Sequence, residues 1–138
     1  MAPRRTPSYC LDLTPRLTLP HPRLDAVRGC AAVERGPLVY CFEQIDQQVG
    51  VPVDELALFR NAVFEEVTHS DLDGLGPTVA LRTRAAAVTG EHAAGLPYRT
   101  ADGPHAADTD APVTAAPYFQ WDNRGDGAMR VCMPLLGG

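Results

Sequence analysis

The residues of this chain best suited to chemistry are its cysteines, its carboxylates and a few histidines. A cysteine can act as a nucleophile, because a thiolate attacks carbon readily once its pKa is lowered. That lowering needs a metal, a nearby cation or a helix N-terminus. Cys41 sits instead between Tyr40 and Phe42 in "PLVYCFEQ", with none of these beside it in sequence, so a packed core cysteine is the plainer expectation. General acid/base chemistry often uses two carboxyl groups that flank the reacting bond, and the candidates are Glu34, Glu43, Glu65, Glu66, Asp71 and Asp73. Most stand at strand ends or in loops, where solvated charge is the default. Glu65 and Glu66 are neighbours on one strand and point to opposite faces. "SDLDGLG" (Ser70–Gly76) resembles the start of a calcium loop but lacks the later bidentate glutamate. His69, His92 and His105 could share zinc only if the fold converged them. We therefore expect no catalytic, metal or cofactor-binding residue in this chain.

Binding is the alternative chemistry. Aromatic faces stack on sugar rings, and Tyr98, Tyr118 and Trp121 are possible sugar contacts. Against this, Phe119 and Trp121 are two apart in "PYFQW" and would share the inward face of a strand. That spacing places Trp121 in the core with Leu38, Tyr40, Cys41, Phe42, Met129 and Val131. The tripeptide Arg124-Gly125-Asp126 is known as an adhesion signal. It lies within "DNRGDGA", between the β-formers "FQW" and "MRV", and reads as the loop of a hairpin joining Tyr118–Trp121 to Ala128–Met133. Arg124 is then structural or solvated.

The elements that must position these residues are strands. Thirteen prolines and 12 glycines punctuate 138 residues, leaving few stretches for a helix of three turns. Short β-rich runs recur between the breakers: "CLDLT", "RLTL", "CAAVERG", "PLVYCFEQ", "DELALFR", "AVFEEVTH", "PTVALRTRAAAV", "VTAAPYFQW" and "AMRVCM". In "PLVYCFEQ", Leu38, Tyr40 and Phe42 share one face, Val39 and Cys41 the other, so this strand should be central. Thr89 to Pro112 is polar and loop-like, with a short strand near Leu96–Tyr98. The pattern predicts an all-β chain, an antiparallel β-sandwich or jelly roll. Residues 1–24 read as an N-terminal arm, or as remnant strands of a preceding sandwich. Residues 25–138 read as the sandwich itself.

Composition limits the partners. Hydrophobic residues make up 45% of the chain, enough for a core, and the net charge of −5 argues against nucleic acid. The 12 basic residues are all arginine. No apolar run has the length of a membrane span or of a signal peptide, which predicts a cytoplasmic protein with reduced cysteines.

Two longer motifs carry a resemblance. "VERGPLVYCFEQID" (Val33–Asp46) and, far downstream, "APYFQWDNRGDGAMRVCMP" (Ala116–Pro134) resemble the C-terminal end of glycoside hydrolase family 127, the β-L-arabinofuranosidase-like enzymes. "LPHPRLDAVRGC" is similar to the family's linker into its last sandwich. Cys132 departs from the aromatic residue usual there, and Asp126 from the common proline. The resemblance implies an (α/α)6 catalytic barrel followed by β-sandwich domains, with a cysteine nucleophile on zinc and a glutamate acid/base in that barrel. A chain of 138 residues with few helices has no room for the barrel. Cys41 matches the sandwich cysteine and not the nucleophile. The expectation is a non-catalytic C-terminal β-sandwich domain, without zinc of its own, that covers an exposed apolar face by homodimerisation or by docking on a hydrolase catalytic domain. The alternatives are a free-standing carbohydrate-binding module, or an interaction domain that docks on a separately encoded hydrolase.

Overall fold

A computed structural model describes residues 6–48, 50–70, 74, 76–87, 98 and 109–136. Among the described residues nine strands carry the fold: β1 (Pro15–Thr18), β2 (Cys30–Arg35), β3 (Leu38–Glu43), β4 (Leu56–Phe59), β5 (Glu65–His69), β6 (Thr78–Ala87), β7 (Thr109–Pro117), β8 (Met129–Arg130) and β9 (Met133–Leu136). The helical elements among the described residues are short 3-10 turns such as Asp25–Val27 and Tyr118–Gln120, as expected where proline and glycine recur so often. None of these helices is long and apolar enough to cross a membrane.

The chain is all-β, but it is not a sandwich. The hydrogen-bonded order runs β2-β9-β4-β6-β7-β3, and β3 pairs again with β2, closing a six-stranded barrel. Outside the ring, β1 pairs with β2, β5 with β6 and β8 with β3. Closure depends on two long-range ladders that seat β9 between β2 and β4. The start of β2 pairs with β9, Ala31 opposite Met133, and β9 runs parallel to β4, Leu58 opposite Leu135. A closed ring leaves fewer open edges than two stacked sheets would.

Strand alternation fills the barrel. Val33, Tyr40, Phe42, Leu56, Leu58, Leu81 and Met133 are fully buried in one cluster with Ala85, Ala87, Ala111 and Ala115. The alanines lie on β6 and β7, whose register sets Leu81 opposite Ala115 and Ala85 opposite Ala111. Small residues on these two strands leave room for the rings of Tyr40 and Phe42, which a barrel this narrow could not otherwise enclose. The Tyr40 hydroxyl donates to the Val79 carbonyl at 2.8 Å, so its one polar atom is satisfied. The β2–β3 turn uses Gly36 at φ 55°, where an added Cβ would meet Leu13 at 2.5 Å.

Three local expectations are corrected. Strand β7 begins at Thr109, inside the stretch read as loop, because "TDAPVTAA" alternates well enough to pair with β6 along its length. β7 also stops at Pro117, and Tyr118–Gln120 is a 3-10 turn rather than a strand. The hairpin around residues 122–127 does not form. Met129 and Arg130 pair instead with Glu43 and Phe42 of β3. The expected strand near Leu96–Tyr98 lies, apart from Tyr98 itself, outside the described residues.

Candidate functional site

One corner of the barrel gathers most of the polar chemistry. Strand β3 ends at Glu43 and passes into the 3-10 turn Gln44–Asp46, while the segment after β7 folds across that end. Backbone bonds set the contact, Gln44 N–H donating to the Ala128 carbonyl at 2.9 Å. Gln47 stitches the turn to β7. Its Nε2 donates to the Glu43 and Thr114 carbonyls at 2.7 and 2.9 Å, and its Oε1 accepts from Thr114 N–H at 3.2 Å.

Arg124 closes the corner. Its Nη1 and Nη2 donate to the two Asp46 carboxylate oxygens at 2.6 Å each, and Nη2 also reaches Glu43 Oε2 at 2.6 Å. The other Glu43 oxygen accepts from Asp122 N–H at 3.2 Å. Glu43 is buried, at 5% side-chain exposure, and Asp46 and Arg124 are mostly covered at 14% and 21%. The fork of a guanidinium fits this task, because one planar group serves a bidentate and a monodentate carboxylate together. Bonds to Asp46 first, then to Glu43, push the guanidinium pKa further above its already high value. Both ends of the loop are therefore fixed, and Asp122 is held at φ 66°. The arginine of the Arg124-Gly125-Asp126 tripeptide is committed to intramolecular carboxylates, which removes its charge from any outside ligand.

The anchored loop changes the place of the aromatic residues. In a 3-10 turn, side chains three apart eclipse. Trp121 N–H donates to the Tyr118 carbonyl at 3.0 Å, and the two rings stack with centroids 5.8 Å apart and planes 25° apart. Trp121 is thus not a core residue. Tyr118, Phe119 and Trp121 are 44%, 51% and 41% exposed, and Gln120 turns inward in their place, 3.3 Å from Thr78 Oγ1. Of the other residues assigned to the core, Tyr40, Cys41 and Phe42 are fully buried, Leu38 packs partly buried against the cluster, and Met129 and Val131 are half-buried. Tyr98 is 87% exposed, between residues outside the described set.

The remaining carboxylates are dispersed. Glu34 takes Arg16 and Thr18, Glu66 takes Arg35 in a two-bond pair, and Glu65 stands exposed on β5. His69 ends β5, while Asp71, Asp73, His92 and His105 lie outside the described residues. Among the described residues no group of three His, Cys, Asp or Glu could hold a metal ion. Cys41 does not fit a zinc-bound nucleophile either. Burial, then the nearby Glu43 and Asp46 charges, push its thiol up to about 12, the reverse of what a thiolate ligand needs. In the folded protein an aromatic disulfide reagent should label exposed Cys10 promptly and Cys41 only once denaturant is added. Equal labelling rates in the absence of denaturant would contradict this burial.

Sequence reasoning named Glu43 but missed its partners, because Arg124 lies 81 residues away along the chain. The available signal was local: a carboxylate three residues beyond another, at the end of a strand.

A closed all-β barrel domain with one anchored aromatic corner is the class that this geometry defines. Residues 15–134 match the glycoside hydrolase family 127 C-terminal domain, and the chain belongs to that family. It is 32% identical over 127 residues to a non-reducing end β-L-arabinofuranosidase of Bifidobacterium longum subsp. longum, covering 88% of this chain and 18% of that protein. A solved glycoside hydrolase matches with a TM-score of 0.78 at 30% identity, over 90% of this chain and 20% of its own. The family 127 β-L-arabinofuranosidase Ara127N of Geobacillus stearothermophilus T6 matches with a TM-score of 0.72 at 32% identity, over 88% of this chain and 18% of its own. The chain thus spans about a fifth of the length of these relatives.

Proposed function

We propose that this chain is a non-catalytic accessory domain of a β-L-arabinofuranosidase-like glycoside hydrolase. The observation that carries this is the match of residues 15–134 to the family's C-terminal domain, which covers about a fifth of the relatives' length. The chemistry of the described residues agrees. Glu43 and Asp46 are drawn together by Arg124, which occupies both, and this suits a structural anchor better than an acid/base pair. At the buried Cys41 thiol, burial and the Glu43 and Asp46 charges outweigh the lowering effect of Arg124, the reverse of an activated nucleophile.

The test is hydrolysis of a chromogenic β-L-arabinofuranoside by the purified chain, with zinc and a reductant present. The expected result is no turnover above buffer. Turnover that disappears in Cys41→Ala, with circular dichroism unchanged, would overturn the proposal.

A further inference from the structure

We propose that Cys30 and Cys132 form a reversible disulfide clip across the ladder that closes the barrel. That ladder is short. Its registered pairs are Cys30 opposite Pro134 and Ala31 opposite Met133, and beyond them Leu135 N–H donates to the Gly29 carbonyl at 2.9 Å. Pro134 has no N–H to add. Strand alternation brings the two thiols to one face. Ala31 and Met133 stand opposite each other and are both fully buried, so the residues next to them point outward. Cys30 directly precedes Ala31, and Cys132 directly precedes Met133. The two cysteines are therefore diagonal neighbours on the outer surface of the β2–β9 pair. Both are partly exposed free thiols. Of the other two, Cys41 is fully buried and Cys10 lies on the exposed stretch before β1.

Diagonal neighbours in an antiparallel pair stand about 7–8 Å apart at Cα and closer at Cβ, just beyond the roughly 4.4–6.8 Å usual for a disulfide. The chain can supply the difference. Cys132 lies in the bend between β8 and β9, outside the registered pairs of both strands. The Cys30 sulfur has a 4.0 Å contact to the Arg28 carbonyl, too long to fix its rotamer. The oxidant is a small disulfide such as oxidised glutathione. One cysteine thiolate attacks it, its sulfur–sulfur bond breaks, and one small thiolate leaves as a mixed disulfide forms. The second cysteine attacks the protein sulfur of that mixed disulfide and expels the other small thiolate. The protein thiols lose two electrons, and their two protons pass through solvent to the departing thiolates. Roughly 100 residues separate the two cysteines, and a link over so large a loop restrains the unfolded chain strongly. Oxidation thus acts as a stability switch on barrel closure, independently of the accessory-domain role.

The purified chain is equilibrated with oxidised and reduced glutathione, alkylated and digested with trypsin. Cleavage after Arg28, Arg35 and Arg130 places the two cysteines on the peptides Gly29–Arg35 and Val131–Gly138. The expected result is a cross-link between these peptides in monomeric chain, lost on addition of dithiothreitol. The oxidised chain should melt roughly 5 °C or more above the reduced chain. Cys10→Ser should keep the cross-link and the shift, whereas Cys30→Ser and Cys132→Ser should each abolish both. Circular dichroism confirms that each variant is folded. Finding glutathione adducts or Cys10-linked dimers in place of the cross-link overturns the proposal. So does a cross-link that leaves the melting temperature unchanged, because the bridge would then restrain nothing that unfolding releases.

Discussion

Replacing Arg124 with leucine should lower the unfolding free energy by roughly 3–5 kcal/mol in urea denaturation, the usual cost of leaving a buried charge without its partner. Glu43 is the reason. At 5% side-chain exposure it cannot regain hydration, and its oxygens would keep only the Asp122 N–H. Asp46, at 14%, can recover some water, which places the expected loss toward the lower end of that range. Arg124→Lys keeps the charge but not the fork, and one ammonium cannot serve three oxygens in these directions, so an intermediate loss is expected. Arg124→Leu combined with Glu43→Gln should recover part of the stability, since the uncompensated carboxylate is then gone. A loss below about 1 kcal/mol in Arg124→Leu would place the cluster among ordinary surface pairs.

Phe42→Ala should cost roughly 3–5 kcal/mol, whereas Trp121→Ala should cost about 1 kcal/mol or less. The contrast is the informative measurement, because tryptophan is the larger side chain. Phe42 is fully buried inside a closed ring, where backbone ladders on several strands prevent collapse onto a cavity. Trp121 is 41% exposed, stacks on Tyr118 and lies outside the buried cluster, so its truncation opens no cavity in the core. Equal losses at the two positions would mean that the Trp121 ring packs inward in solution.

Much of the fold was legible without coordinates. Proline and glycine spacing excluded long helices, and period-two alternation marked β3, β5 and β6, because both are local properties of backbone and side-chain geometry. The motifs around Val33–Asp46 and Ala116–Pro134 were long enough to indicate the family, to which residues 15–134 belong.

Tertiary structure decided the rest. Alternation states that one face of a strand is buried, and it reads the same in a sandwich and in a barrel. The parallel β4–β9 ladder and the pairing of β9 with β2 made it a barrel, and these pairings depend on packing between distant segments. Trp121 was misplaced because "PYFQW" has strand-forming residues, yet a single 3-10 turn changed the period from two to three and carried the ring outward. The union of Arg124 with Glu43 and Asp46 spans about 80 residues. No local pattern encodes such a contact; the antiparallel β3–β7 ladder, Cys41 opposite Ala116, brings the end of β3 beneath the loop that follows β7.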